Sequence, residues 1–507
     1  MNIRLLTGIV GLAGILPAAA ICGDATPEDV FEDASNYTVR VKARIEHAFG
    51  DDEAGVFSGT GFIVDADRGW IVTNRHVVGE SPSEVQVARR DATFQDATKL
   101  YVDPFIDIAI LETRLEGGND ADLACDQSAP GTGHPVGAYG HPWGFEYTGT
   151  QGVISGRTTK WQKVMLQTDA PINSGNSGGP LISMRSGDVV GVNTSSYNDE
   201  KAENTNFAVP IEDVCRILAL LKQGKDPSPP DLPVAMFDVE DGGSVVVARV
   251  FDPRGSIGLQ AYDKIVAAGP DLEPVKHKHH LVNALRGNLD EARLKVVRDG
   301  QELTVSGTVP PLRIRRGIEF AGIVLAPFNF RDRSITPAGH DIGVFSIAAG
   351  SRASGQDLKW FDLIYKVNGE RVGSLEQLFV LLNDLEDGAS ASLEFLRVFE
   401  DRHYFGYIQR EILAEPALWL DSRGASDGTD VQLSWIAGQL DEAQALSGRN
   451  YLMLRVALDR LLSQLERDDV SLEAGERQRQ TSLALDLGEQ LEGKLLSAVA
   501  SDYIPAE

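Results

Sequence analysis

The chain has 507 residues, 42% of them hydrophobic and 24% charged, with a formal net charge of -27. That length exceeds one hydrophobic core and predicts three or four domains, and the composition excludes a disordered chain. The acidic balance argues against nucleic acid as a partner and against docking on anionic lipid, since both need a basic surface.

The first residues read as an export leader. Arg4 precedes the apolar run "LLTGIVGLAGIL" at 5–16, and Pro17 with Ala18, Ala19 and Ala20 supplies an A-x-A type cleavage site, so residues 1–20 are expected to be removed. The run is too short to span a bilayer, although a retained anchor is the alternative. Cys22 follows Ile21, a poor residue ahead of a lipidated cysteine, so a lipid anchor is not expected. No other stretch is long and apolar enough to be transmembrane. The expected location is outside the cytoplasm. There, Cys125 and Cys215 either pair or stay as two buried thiols, and with three cysteines in all at least one is unpaired within the chain.

Residues 37–212 carry short Val/Ile-rich runs punctuated by Gly, Asn, Asp or Pro: "GTGFIVD", "GWIVTN", "IDIAILE", "TGTQGVISG", "VVGVNTS" and "NFAVP". This predicts an all-β barrel or sandwich. At 211–224, "IEDVCRILALLKQG" has helical spacing, with Ile211, Val214, Ile217, Leu218 and Leu221 on one face. Gly224 and "DPSPPDLP" end it and form a linker.

Beyond the linker lies an internal repeat. "LQAYDKIVAAG" (259–269) resembles "LKWFDLIYKVNG" (358–369), and "ARLKVVRDG" (292–300) resembles "ASLEFLRVF" (391–399). Asp263 and Asp362 are 99 positions apart, as are Arg298 and Arg397, so the register is constant and implies duplicated small domains. In the first repeat "KHKHH" (276–280) offers His277, His279 and His280. Lys276 and Lys278 repel a cation and no acid or cysteine set completes a tetrahedral site, so a solvated loop is expected and no metal. From about 413, apolar residues at three- and four-residue spacing predict a helical region. It either packs on its own chain or presents a face to a partner.

"INSGNSGGPL" (172–181) crowds Gly175, Gly178 and Gly179 around Ser177. A serine hydroxyl is a weak nucleophile that needs a base, a group to orient the base, and donors for the oxyanion. Glycines allow the tight turn that aims backbone N–H groups at one point. His76 in "IVTNRHVV" is the base expected here. Asp107, a lone carboxylate in the apolar run "PFIDIAIL", is the orienting acid, because a buried charge needs a partner. The order His, Asp, Ser fits triad logic. "GNSGG" also fits the G-x-S-x-G elbow of esterases, with histidines downstream. That fold requires alternating helices and strands ahead of the serine, and this chain lacks them.

Together "TNRHVV", "DIAIL", "GHPWG", "QTDAPINSGNSGGPLIS" and "NFAVP" resemble the HtrA/Deg family of trypsin-like serine endopeptidases over roughly residues 37–412. The resemblance implies a double β-barrel protease domain (37–224), two PDZ-like α+β domains (234–312, degenerate, and 313–412) and then the helical C-terminal region (413–507). It implies His76, Asp107 and Ser177 as the triad, and Gly175, Asn176 and Ser177 as the oxyanion hole. Asn193, Thr194 and Ser195 are expected to line a substrate pocket suited to small aliphatic residues. In the second repeat Glu319, Phe320, Ala321, Gly322 and Ile323 are expected to hold a C-terminal peptide carboxylate and lead into a receiving strand, with Arg313, Arg315 and Arg316 attracting it. An ordinary core strand beside a charged turn is the alternative. Ser174 and Arg75 depart from the family's usual residues without removing a catalytic group, and the segment before "GTGFIV" is short, which argues against large cages. The function implied is ATP-independent degradation of misfolded periplasmic proteins by a trimer-based homo-oligomer without a cofactor. The competing class is a PDZ-bearing chaperone or scaffold with an idle protease domain.

Overall fold

The computed structural model describes residues 26–502 except 50–51, 116, 143–146, 160–161, 197–204, 240–242, 252, 254, 313–315, 328–341, 400–403, 422–423, 443–447 and 466–473. The expected leader, Cys22, Arg313 and Arg315 therefore lie outside the described residues. A helix α1 (Pro27–Tyr37) opens on a reciprocal cap between Thr26 and Asp29 and lays Phe31 on Tyr139, with ring centroids 5.6 Å apart.

Two closed six-stranded barrels follow. The first contains β1 (Thr38–Ile45), β2 (Gly55–Asp65), β3 (Trp70–Thr73), β4 (Ser83–Ala88), β5 (Gln95–Val102) and β6 (Ala109–Glu112), in the order β1-β2-β3-β6-β5-β4. The second contains β7 (Pro135–Gly140), β8 (Thr148–Thr158), β9 (Met165–Thr168), β10 (Pro180–Ser183), β11 (Val189–Ser196) and β12 (Asn206–Pro210), in the order β10-β11-β12-β9-β8-β7. One apolar core runs through both barrels, from Val39 and Ile71 to Val192 and Leu218. Strand β2 reads alternating at its start and continuously buried over its last seven residues. A four-residue helix α2 (Arg75–Val78) follows β3. Helix α3 (Ile211–Lys222) seals the second barrel with Ile211, Val214, Ile217 and Leu218. Cys125 and Cys215 are disulfide-bonded, which ties α3 to the segment joining the barrels.

The first repeat contains β13 (Val234–Asp238), β14 (Val245–Val250), β15 (Lys264–Ala268), β16 (Glu273–Pro274), helix α4 (Lys278–Leu285), β17 (Ala292–Arg298) and β18 (Gln301–Gly307). The second has β19 (Gly317–Phe320), β20 (Ile323–Pro327), β21 (Ile342–Ile347), β22 (Leu363–Val367), β23 (Glu370–Arg371), helix α5 (Leu375–Asn383), β24 (Ser390–Phe399) and β25 (Tyr404–Leu413). The residues that set the repeat register have one job in both units. Arg298 grips Asp263 through Nε and Nη2, both at 2.7 Å, and Arg397 grips Asp362 at 2.7 and 2.6 Å. Such two-pronged pairs are directional as well as strong.

The second sheet is longer, with the order β25-β24-β22-β21-β20-β19-β26-β27. Its last two strands, β26 (Leu418–Asp421) and β27 (Gly424–Ser426), come from the region expected to be helical, which begins instead at Thr429. Helices α6 (Thr429–Glu442), α7 (Gly448–Leu465) and α8 (Ala474–Asp502) then bury Leu433, Ile436, Leu458, Leu461 and Leu491 against one another and against Val380 of α5. The helical region thus packs on its own chain.

The repeats also dock on the barrels. Arg286 is sealed from water and pairs with Asp103 at 2.7 Å. His279, 3% exposed, holds Asp213 of α3 at 3.0 Å and accepts from Val164 N–H. The solvated loop expected for 276–280 is therefore corrected. His279 is an interface residue, and His277 caps α4 by accepting from His280 N–H. Phe49, in the segment after β1, is 1% exposed and packs with Val324, Ala326 and Leu420 of the second repeat's sheet. Among the described residues no helix is long and apolar enough to cross a membrane.

Candidate active site

The site lies where the two barrels meet, and short-range constraints place each part. Strand β3 delivers the chain to Asn74, whose side chain donates to the Asp107 carbonyl at 2.8 Å. The helix turn that follows presents His76. Asp107 sits just ahead of β6, in a loop pinned by Asp103, whose Oδ1 accepts from the N–H groups of Phe105 and Ile106 at 2.8 Å each. Asp107 in turn accepts from the His76 N–H at 3.0 Å through Oδ1 and faces His76 Nδ1 at 2.7 Å through Oδ2. Burial alone would push the Asp107 carboxyl up. The His76 ring, with its hydrogen bond and charge, the Thr194 hydroxyl and the His76 N–H outweigh that and hold it well below the usual carboxylate range. An ionised Asp107 holds the proton of a neutral His76 ring on Nδ1 and leaves Nε2 as its acceptor.

Ser177 stands in the turn between β9 and β10. Gly175 has φ +104° and Gly178 φ +85°, where other residues are strained. Space forbids a side chain there as well. A Cβ on Gly175 would lie 2.3 Å from the His141 carbonyl, and one on Gly178 2.1 Å from the Thr60 carbonyl. The turn is held by Thr60 N–H donating to Ser177 O at 2.8 Å, and by Asn193, whose carbonyl accepts from Gly178 N–H at 2.8 Å and whose N–H donates to Gly179 O at 2.9 Å. The N–H groups of Gly175 and Ser177 donate to no backbone carbonyl among the described residues. Asn176 differs. Its N–H donates to Asn173 O at 2.9 Å, which removes it from the expected oxyanion donors.

The three expected triad residues are brought together through Thr194. Ser177 Oγ donates to the Thr194 carbonyl at 2.9 Å, and the Thr194 hydroxyl donates to Asp107 Oδ2, the oxygen that also faces His76. Among the described residues no hydrogen bond joins Ser177 Oγ to the His76 ring. Such contacts commonly tighten only when substrate is bound. The pocket expected from Asn193, Thr194 and Ser195 is corrected for the first two. Asn193 is fully buried and its amide donates to Pro180 O at 2.9 Å, while Thr194 is 5% exposed and turned to Asp107. The Ser195 side chain lies outside the described ones.

The second-repeat site is also corrected. Phe320 and Ile323 pair directly across a two-residue turn, with Ala321 at φ 53° and Gly322 at φ 87°, so 317–327 is a tight hairpin. Phe320, Ala321 and Ile323 are fully buried. The Gly322 N–H expected to receive a peptide carboxylate donates to Glu319 Oε1 at 2.7 Å. Strand β20 is paired on both sides, with β19 and β21, and β19 is covered in turn by β26. A receiving strand needs a free edge, and β20 has none. Arg316 pairs with Glu376 at 3.0 Å.

Residues 59–192 match the model of the trypsin-like peptidase domain. The chain is 29% identical over 371 residues to a probable periplasmic serine endoprotease, DegP-like, of Pseudomonas fluorescens, covering 67% of this chain and 76% of that protein. It is 30% identical over 358 residues to the protein of the same name from Chlamydia pneumoniae, covering 64% of this chain and 71% of the relative. Among solved structures, the serine endoprotease from Yersinia pestis aligns with 56% of this chain and 98% of its own at 25% identity and a TM-score of 0.42.

Proposed function

Since the chain belongs to the HtrA family of DegP-like serine endoproteases, we propose that His76, Asp107 and Ser177 carry out its peptide-bond hydrolysis. The single observation that supports this most is the hydrogen-bonded relay Ser177–Thr194–Asp107–His76, which gathers residues from four separate segments at the barrel junction.

In the structure the Ser177 hydroxyl rests on the Thr194 carbonyl. A turn about its Cα–Cβ bond, driven by the arriving substrate, hands the proton to His76 Nε2 as Ser177 Oγ attacks the scissile carbonyl. The N–H groups of Gly175 and Ser177 hold the oxyanion. His76 then protonates the leaving amine, and water releases the acyl group by the same steps in reverse roles. Asp107 stays ionised throughout and stabilises the imidazolium.

The substrates proposed are extended segments of unfolded or misfolded proteins in the periplasm. The relatives are named periplasmic, and a disulfide between Cys125 and Cys215 suits an oxidising compartment. A trimer-based assembly is part of this reading. Capture of a C-terminal peptide at 319–323 is not, because β19 fills that edge.

Casein digestion by the wild type and by Ser177→Ala tests the assignment. The wild type is expected to cleave and the variant to lose cleavage while keeping its fold. Equal cleavage by both overturns the triad. No cleavage by either, with Ser177 also inert to a fluorophosphonate probe, favours the scaffold reading.

A further inference from the structure

Strand β5 is exposed at Asp96, Thr98 and Leu100, and Lys99 falls on the opposite, buried side, 6% exposed. A lysine is rarely placed so deep unless its charge is answered. Here the answer is three carbonyl oxygens. Lys99 Nζ donates to Ser81 O at 2.6 Å, Gly79 O at 3.2 Å and Val78 O at 3.5 Å. An ammonium has three donors and no acceptor, so the three carbonyls use its full capacity.

Those carbonyls belong to the segment that terminates α2, the helix turn bearing His76. The last carbonyls of a helix have no partner within it. Other groups hold the same segment: Ser83 Oγ donates to Val78 O at 2.7 Å, and Asp52 Oδ2 accepts from Ser81 N–H at 2.7 Å. Ser81 Oγ accepts from Phe49 N–H at 2.9 Å and donates to Phe49 O at 3.2 Å. Arg75 is ion-paired with Glu80. Among the described residues, only the ammonium draws three carbonyls of the turn to one point.

We propose that Lys99 is a positioning residue for the catalytic histidine, its buried ammonium clamping Val78–Ser81 and so fixing the α2 turn from which His76 reaches Asp107 and Ser177. The inference rests on the triad reading above. Burial pushes the Lys99 amine down to about 8, against the fields of Asp52, Asp421 of β26 and Glu80. Those three carboxylates are the charged groups facing it, from the segment before β2, from the second repeat's sheet and from the clamped segment itself. A methionine of similar length removes the desolvation cost but takes the ammonium donor from Gly79 O and Ser81 O, while Val78 O keeps Ser83 Oγ.

The test measures kcat and KM on a fluorogenic peptide from pH 6 to 10 for the wild type, Lys99→Met and Lys99→Arg, with circular dichroism as the fold control. Lys99→Met is expected to lower kcat by about tenfold to a hundredfold, the scale of a misplaced catalytic group, with KM within about twofold. The wild type is expected to lose kcat reversibly as pH rises through about 8, where the amine discharges. Lys99→Arg, charged at every pH tested, is expected to keep kcat and lack that alkaline limb. An unchanged kcat in Lys99→Met overturns the proposal, as does the same alkaline limb in all three proteins. If neither variant folds, the wild-type profile decides, and the absence of a reversible loss near pH 8 overturns it. Ser177→Ala separates the two readings. Cleavage by that variant sinks the triad itself, whereas its inactivity with indifferent Lys99 variants sinks only the clamp.

Discussion

Replacing Thr194 by valine tests the relay at its least obvious member. Valine keeps the branched volume and the backbone carbonyl that receives Ser177 Oγ, and deletes only the hydroxyl that donates to Asp107. Thr194 is 5% exposed, so bulk water does not replace the lost donor. A hydrogen bond to a charged group contributes about 1.5–3 kcal/mol, which at about 1.4 kcal/mol per decade is a fall of roughly tenfold to 150-fold in kcat. The lower end is favoured, because Asp107 keeps both bonds from His76, at 3.0 and 2.7 Å. Steady-state cleavage of a fluorogenic peptide gives kcat and KM separately, and fluorophosphonate labelling reports Ser177 reactivity without a turnover cycle. Thr194→Ser restores the hydroxyl and is expected to recover most of the rate. Wild-type kcat in a folded Thr194→Val protein would refute the reasoning. Asp107 would then need no support beyond the histidine.

Two further outcomes follow from the docking of the first repeat. Arg286→Ala leaves Asp103 buried without its cation, a loss of about 3–5 kcal/mol for such a pair, and should appear as a lowered denaturant midpoint, with a midpoint unchanged from wild type as the contrary result. His277 is pushed down to about 4, first by burial and then by the charges of His280 and His279. A depressed histidine means that the unfolded chain binds more protons in between, so its stabilising contribution is present above about 6.5 and is lost as pH falls toward 4. His277→Asn keeps a helix-capping side chain without the titration and should flatten that part of the thermal-stability profile. An identical acid profile in both proteins would contradict it.

The residues proposed as the triad stood out because each sits in a distinctive local string: a glycine-ringed serine, a histidine after a strand, a carboxylate inside an apolar run. The repeat was legible for a similar reason. Asp263 with Arg298 and Asp362 with Arg397 stood out only as register marks, and the structure shows why they recur, since each pair locks one turn of its sheet to one strand. What escaped were partners supplied from afar. Nothing near 319–323 announces that residues 418–421 will arrive to cover β19, and Ala321–Gly322 is a weaker hairpin signal than Asn–Gly. His279 looked solvated because its partner Asp213 lies on another helix, 66 residues earlier. Asn176 failed as an oxyanion donor through a local turn bond to Asn173 that composition does not reveal.

Phe49 belongs by sequence to the catalytic barrel and by packing to the second repeat. Burying an aromatic ring of this kind contributes about 2–3 kcal/mol, and its backbone is hydrogen-bonded at both ends to Ser81. The proteolytic half is therefore no detachable cassette. Severing the polypeptide ahead of residue 313 would strip this ring of its partners Val324, Ala326 and Leu420 and leave it facing water, one hydrogen-bonded step from Ser81.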